Sequence, residues 1–284
     1  MNFFFRSLFT TCALFTGMLV LAAGTPTAFG PKLGLQSWTC RNMNFDEVVD
    51  FAAKQDIHYV ELVAPMHLDP AAPPEENLRK KAQLEAKGIT AYSFGVVRPT
   101  PQERDNRPLF ELAKLMGMKL IIVEPQDAAA WDNLEKLVKE YDIKVAIHNH
   151  GTGTVYGNPA TVKKILATRD ARIGVCLDVG WVSAAGFDAA QVFTAYGDRV
   201  FDMHLKDKRK ETGADGRPLD VEIGQGIANY AGVFAAIART GWTGVMAIET
   251  DNKDFAREPG HFVDQARKFF EAQRADAVSR ASGK

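Results

Sequence analysis

Short apolar runs alternate with segments of helical periodicity from residue 33 to near the end of the chain. The strand-like runs are 33–38, 58–63, 89–94, 119–123, 144–148, 173–177, 200–205 and 245–248. After the first of them, residues 45–54 place Phe45, Val48, Val49 and Ala52 on one face, with Asn44 and Glu47 spaced as a capping pair. Further helices are predicted at 75–86, 107–116, 131–141, 159–168, 188–196 and 230–240, and a last one over 260–274 covers the closing strand. Asn158 followed by Pro159 has the form of an N-cap and a first helical position. Strands alternating with helices and no linker predict an α/β fold, a single (β/α)8 TIM barrel, with an open doubly wound sheet as the competitor. Pro-rich 69–74 and charged 206–220 are expected as long loops after strands, where a barrel builds its active face.

Five of the apolar runs end in metal-binding or acid–base side chains: Glu124 after LIIV, His148 and His150 in KVAIHNH, Asp178 in GVCLD, His204 and Lys206 in DMHLK, and Glu249 in GVMAIE. Side chains two apart on a strand share a face. Ala146, His148 and His150 therefore point one way, as do Gly174, Cys176 and Asp178, then Asp202, His204 and Lys206, then Val245, Ala247 and Glu249. Small residues lie below and ligands at the rim, while Ile147, Leu177, Met203 and Ile248 face the outer helices. Asp202 is an acid set deeper on the inner face and needs a partner there. A carboxylate and imidazole set suits one divalent ion such as Mn²⁺, Co²⁺, Zn²⁺ or Mg²⁺. Such an ion polarises a carbonyl, and an acid or imidazole at the rim then moves the proton.

The first residues stand apart. MNFFFR carries one positive charge, Ser7 to Ala23 is uncharged and apolar, and small residues follow at Ala22, Ala23 and Gly24. This is the layout of a secretory signal peptide over 1–24 with cleavage between 24 and 30, an uncleaved anchor being the alternative. The barrel domain is then expected over 31–274, with a frayed tail at 275–284, and the protein is expected to be exported to a periplasm or secreted. Loss of Arg6 leaves 33 basic residues against 35 acidic ones. There is no basic footprint for nucleic acid, and no later segment has transmembrane character. Of three cysteines, Cys12 lies in the leader, and Cys40 and Cys176 are expected as free thiols.

The remaining candidates are contacts to a small molecule. Gln36 and Glu61 end the first two strands, and Trp38 and Trp181 offer ring faces to a sugar or serve as rim packing. Lys206 is placed to hold a sugar oxygen or an enolate, whereas Asp207 is better suited to capping a loop. Gly151 to Gly157 has GxGxxxG spacing after HNH and is treated as a loop that lets backbone approach a ligand, not as a dinucleotide site.

With LGLQSWTCRN, HYVEL, HNHGTGTVYGN, LDVGW, MHLKD, IGQGIANY and IET in order, the chain resembles the xylose-isomerase-like superfamily of sugar isomerases, epimerases and dehydratases. Its local likeness is to the branch of inosose dehydratases and 3-keto-glycoside lyases. The resemblance implies a metal held by Asp178, His204 and Glu249, joined by Glu124 or His148 or both. Relatives commonly supply Glu from strand five and His from strand four, and here the two look exchanged. Trp181 stands where epimerase relatives often have His. The implied activity is proton abstraction next to a carbonyl, with Glu124, His150, Lys206 and Glu249 as candidate catalytic groups. Isomerisation, epimerisation or β-elimination is the implied outcome. Because export argues against phosphorylated substrates and no phosphate cradle is evident, an unphosphorylated sugar, keto-glycoside or cyclitol is the expected substrate. A plain epimerase or isomerase, and a carbohydrate-binding barrel without chemistry, are the rivals. The number of subunits is open.

Overall fold

The computed structural model describes residues 30–282, so the expected leader lies outside the described residues. Eight parallel strands close into a barrel: β1 (Lys32–Gln36), β2 (Tyr59–Leu62), β3 (Thr90–Val97), β4 (Leu120–Val123), β5 (Lys144–His148), β6 (Ile173–Asp178), β7 (Val200–Leu205) and β10 (Val245–Ile248). Closure runs through β1 and β10, with Leu33 opposite Met246 and Leu35 opposite Ile248. The open-sheet alternative is thereby excluded.

Helices pack outside: α1 (Phe45–Lys54), α2 (Pro74–Ala86), α3 (Glu103–Met116), α4 (Ala130–Tyr141), α5 (Pro159–Thr168), α6 (Val179–Ala184), α7 (Ala189–Tyr196), α8 (Tyr230–Thr240), α9 (Lys253–Arg257) and α10 (Pro259–Ser282). The Asn44–Glu47 capping box forms, with Asn44 Oδ1 accepting from Glu47 N at 3.0 Å and Glu47 Oε2 accepting from Asn44 N at 2.7 Å. Asn158 caps α5 as its sequence implies. Two short helices escape the periodicity, α6 and α9, because each is under two turns long. The last helix runs to Ser282 instead of stopping near 274, and Ala277 in that extension is buried.

The segment 206–220, expected as loop, contains an antiparallel hairpin, β8 (Asp207–Thr212) and β9 (Pro218–Val221). Its residues DKRKET carry almost no apolar alternation, so the hydrophobic pattern has no strand signal there. The hairpin stands at the carboxyl end of β7, beside the mouth of the barrel.

Between strands and helices lies the main apolar core, which includes Ile121, Val123, Ile147, Leu177, Met203 and Ile248. The barrel interior holds a smaller cluster of Leu120, Ile122, Ala146 and Cys176, with Tyr92, Val96 and Phe201 against it. Phe201 joins Asp202 and His204 on the inside because a register shift between β6 and β7 pairs Val175 with Val200 and Cys176 with Asp202. Gly174 makes room for that ring: a Cβ there would lie 2.3 Å from Phe201 Cε2. Cys40 and Cys176 are free and buried. Among the described residues no helix is long and apolar enough to cross a membrane.

Candidate metal centre

Register carries the strand ends to one place. His148 pairs with Cys176 across β5 and β6, Asp178 with His204 across β6 and β7, and His204 with Ala247 across β7 and β10. As a result His148, Asp178, His204 and Glu249 each offer one ligand atom, and the four atoms lie within 4.8 Å of one another. His148 Nε2 is 3.1 Å from His204 Nδ1 and 3.6 Å from Asp178 Oδ2, and His204 Nδ1 is 3.5 Å from Glu249 Oε2.

Asp178 and His204 are held by their other atoms. Asp178 is the N-cap of α6: its Oδ1 accepts from Trp181 N at 2.7 Å, leaving Oδ2 for the cluster. The capping and ligand readings of this residue are therefore both served, one oxygen each. Asn149, the middle residue of HNH, fixes the Asp178 backbone by accepting from its N–H at 2.9 Å and donating to its carbonyl at 3.2 Å. His204 Nε2 lies 3.3 Å from Glu61 Oε2, so a proton on Nε2 is shared with that carboxylate and Nδ1 faces the cluster.

The donor set has the chemistry of a divalent-ion site. Asp178 Oδ2 is buried with no hydrogen-bond partner, and Glu249 Oε2 likewise lacks one, although it lies 2.6 Å from Lys206 Nζ as an ion pair. Two imidazoles and two carboxylates with unsatisfied oxygens turned toward one point fit a hard or borderline divalent cation. The lowered pKa of Asp178, held ionised against burial by Lys206 and His148, keeps that ligand in its binding form. His148, pushed down by burial, stays neutral and able to ligate.

The other expected residues take distinct places. Glu124 does not join the four-residue cluster; its Oε1 sits 2.8 Å from His150 Nδ1, with Arg98 3.8 Å from its second oxygen. Gln36 and Glu61, expected as substrate contacts, are buried beneath His204, with Gln36 Nε2 donating to Glu61 Oε1 at 2.6 Å. Gln36 still reaches the cavity wall, whereas Glu61 is fully covered. Ser93 and Tyr92 hydroxyls also approach Glu61, at 3.3 and 3.4 Å. Asp202 finds the partners it needs: it accepts from Tyr92 OH at 3.1 Å and from Cys176 Sγ at 3.3 Å. Burial and the nearby Glu61 carboxylate push Asp202 well above the usual carboxylate range, so it sits neutral under the ligands.

Above the cluster opens a cavity of about 880 Å³. His148, His204 and Glu249 form its floor, Glu124 and His150 one wall, and Trp38 and Trp181 stand further round. Trp181 is mostly covered: a Cβ on Gly151 would lie 2.7 Å from its ring, and Lys208 Nζ sits 3.6 Å from its centroid. The glycine-containing loop 151–155 packs over it and lines the cavity, which suits the close-approach reading of that loop. Arg217 and Pro218 of the hairpin line the cavity too. Asp207 takes no part in the cavity; its carboxylate accepts from the N–H groups of Gly224, Gly226 and Ala228 and ties down the IGQGIAN turn.

Sequence reasoning passed over Arg98, Gln126, Arg217 and Asp251, all of which line the cavity. Only Asp251 carried a signal, standing two residues past Glu249 and thus on the same face.

Comparison with known proteins now bears on this geometry. Residues 49–273 match the model of the xylose isomerase-like TIM barrel. The chain belongs to that family. Among curated relatives it is similar to an inosose dehydratase of Clostridium perfringens, 25% identical over 235 residues, covering 68% of this chain and 79% of the relative. The first curated relatives it matches are covered over only 35% and 53% of their own length. Among solved structures, a zinc-bound IOLI protein superposes with a TM-score of 0.70 at 18% identity, covering 88% of this chain and 99% of the other. A probable 3-DHS dehydratase, AsbF of Bacillus anthracis, superposes with a TM-score of 0.66 at 15% identity, covering 84% and 98%. These two likenesses concern the fold. Within the xylose isomerase-like family, then, this chain presents a buried His₂–Asp–Glu cluster with a carboxylate–imidazole pair beside it.

Proposed function

We propose that the protein is a divalent-metal-dependent enzyme that abstracts a proton next to a carbonyl of an unphosphorylated sugar, keto-glycoside or cyclitol, leading to β-elimination. The observation that carries this reading is the juxtaposition of two sites in one cavity: the cluster His148, Asp178, His204 and Glu249, and the pair Glu124–His150. His148, Asp178, His204 and Glu249 would hold the cation, which when bound would supply Lewis-acid polarisation of a carbonyl. Membership of the family and similarity to a protein named inosose dehydratase support the dehydratase direction.

The residues divide the work. Glu124 is buried and its Oε1 engages His150 Nδ1, which leaves Nε2 as the nitrogen available to substrate. His150 is partly exposed at the cavity wall and takes the proton from carbon. Glu124 orients the ring and stabilises the imidazolium that results. As the C–H bond breaks, its electron pair forms the new double bond and the β-oxygen leaves with the C–O pair. His150 then holds the proton it can return to that oxygen. Trp38, Gln36 and the loop at 151–155 bound the space in which the ring lies. We further propose that residues 1–24 are an export leader, which places the substrate outside the cytoplasm and accords with its lacking phosphate.

A panel of 3-keto-glycosides and inososes in D₂O, followed by NMR, tests the reaction. Release of the β-substituent, abolished by chelation and by His150→Gln, is the expected result. A deuterated stereoisomer with no release would replace elimination by epimerisation. Purified protein that binds no divalent metal and whose activity survives Asp178→Ala and Glu249→Ala would overturn the reading.

A further inference from the structure

Lys206 is the anomaly of the site. It is 1% exposed, and a lysine is seldom buried this deeply. Its Nζ lies 2.6 Å from Glu249 Oε2, 2.8 Å from Asp251 Oδ2 and 3.6 Å from Asp178 Oδ2. Two of those three carboxylates are the metal ligands, and they meet the ammonium with the very oxygens that lack hydrogen-bond partners. The third, Asp251, also accepts from Trp38 Nε1 at 3.2 Å on its other oxygen.

The position is built around this lysine. A Cβ on Gly180 would lie 2.7 Å from Lys206 Cγ and 2.8 Å from its carbonyl oxygen, so glycine at 180 is what lets the stem pass. Tyr230 OH donates to the Lys206 carbonyl at 2.7 Å. Trp181 lies alongside, its ring centroid 5.5 Å from Nζ. This packing holds the ammonium among the three acids: it donates to Asp251 Oδ2 and is ion-paired with Glu249 and Asp178.

Asp178, Glu249 and Asp251 carry three negative charges, and Lys206 returns one. A single dication then neutralises the group, whereas without the lysine the same acids would accommodate more positive charge than one dication brings. We propose that Lys206 is a built-in second cation: it occupies the place of a second metal ion, shares Glu249 and Asp178 with the first, and so fixes the centre at one divalent ion per chain. Two-metal sites share ligand oxygens between their ions, and Lys206 Nζ likewise shares Glu249 Oε2 and Asp178 Oδ2 with the cluster, at 2.6 and 3.6 Å. The inference rests on the metal reading above but assigns Lys206 to the centre's stoichiometry instead of to proton transfer.

The test is Mn²⁺ binding to the full chain, by calorimetry and by EPR, where two neighbouring Mn²⁺ ions give a spin-coupled signal. The parent is expected to bind one ion with an uncoupled spectrum. Lys206→Ala is expected to bind two with a coupled spectrum, and Lys206→Ala with Asp251→Asn to return to one. If Lys206→Ala does not fold without metal, it is refolded with Mn²⁺ and the ions retained per chain after desalting are counted; two support the proposal, and one overturns it. One ion in Lys206→Ala, or two in the parent, likewise overturns it while leaving the metal enzyme intact. A parent that binds no Mn²⁺ or other divalent ion would instead defeat the functional reading itself.

Discussion

At the residue scale the site is a matter of which atom each side chain has left over. Asp178 gives one oxygen to the first turn of α6 and keeps the other, and His204 gives Nε2 to Glu61 and keeps Nδ1. Glu61, expected at its strand end as a substrate contact, is fully covered and engages His204 instead, a geometry suited to positioning that ring. Replacing Glu61 by Gln should weaken Mn²⁺ binding about 10- to 100-fold, as loss of such an outer partner does elsewhere. Calorimetry measures it, and an unchanged affinity would mean His204 is oriented by packing alone.

His67 gives a second residue-scale expectation, away from the ligands. It is fully buried, with Nδ1 2.7 Å from Ser37 Oγ and Nε2 3.0 Å from the Met43 carbonyl. Burial, with Lys80 nearby, lowers its pKa below the ordinary 6.5, although the Met43 carbonyl opposes the shift. The unfolded chain therefore takes up a proton first as pH falls. His67's contribution is fully present above pH 6.5 and is lost as pH falls from there through the folded-state value. Urea unfolding of parent and His67→Gln from pH 7.5 to about 5 should show the smaller acid-side loss in the variant. Parallel curves would remove His67 from the account.

The element that reshapes the mouth is the β8–β9 hairpin. Lys208 on one strand and Asp220 on the other form a buried ion pair, and Asp220 also accepts from Thr250 Oγ1 at 2.9 Å and from Asp251 N. The hairpin is thereby tied to the strand end that carries Glu249. Asp220→Ala leaves the buried Lys208 ammonium with the Pro218 carbonyl at 3.3 Å and Asp251 at 3.6 Å, so the loss should fall below the about 3–5 kcal/mol of a fully broken buried pair. Urea titration should show it as a lower midpoint. Because Arg217 and Pro218 line the cavity, KM should rise more than kcat falls. Equal stability in parent and variant would show that the pair is not what seats the hairpin.

Much of this element order was readable beforehand: eight strands, the flanking helices, the α1 capping box and the Asn158 cap all follow from local periodicity and local hydrogen bonding. The hairpin was not, since its strands are held by backbone pairing and one charged pair 12 residues apart, not by alternating apolar faces. Glu124 and His150 were both legible as site residues from their strand ends, but not as partners of each other. Nor was the burial of Glu61, which depends on what the neighbouring strands place over it.

For the whole molecule, a barrel that gathers four ligands from four strands should couple metal binding to stability. At a free ion concentration 100 times Kd the gain is about 2.7 kcal/mol. For a domain of this size that corresponds to roughly 5–10 °C in melting temperature, using about 2–4 °C per kcal/mol. Dialysis against EDTA should lower the melting temperature by that amount and added Mn²⁺ should restore it. A melting temperature indifferent to both would show that the cluster holds no ion in solution.

The chain's own order of apolar and polar residues determined eight strands alternating with helices, their sequence and the face on which each candidate ligand lies, because alternation and helical periodicity are local properties of the backbone. Closure came only with the pairing of β1 and β10. Which ligands meet was decided only in three dimensions. Strand register, a shift between β6 and β7, and the tilt of a closed barrel set the distances that join His148, Asp178, His204 and Glu249. The same closure leaves Glu124 to His150 and puts a lysine between the acids. Sequence spacing along one strand says which way a side chain points, and only the packing of eight strands around one axis says what it points at.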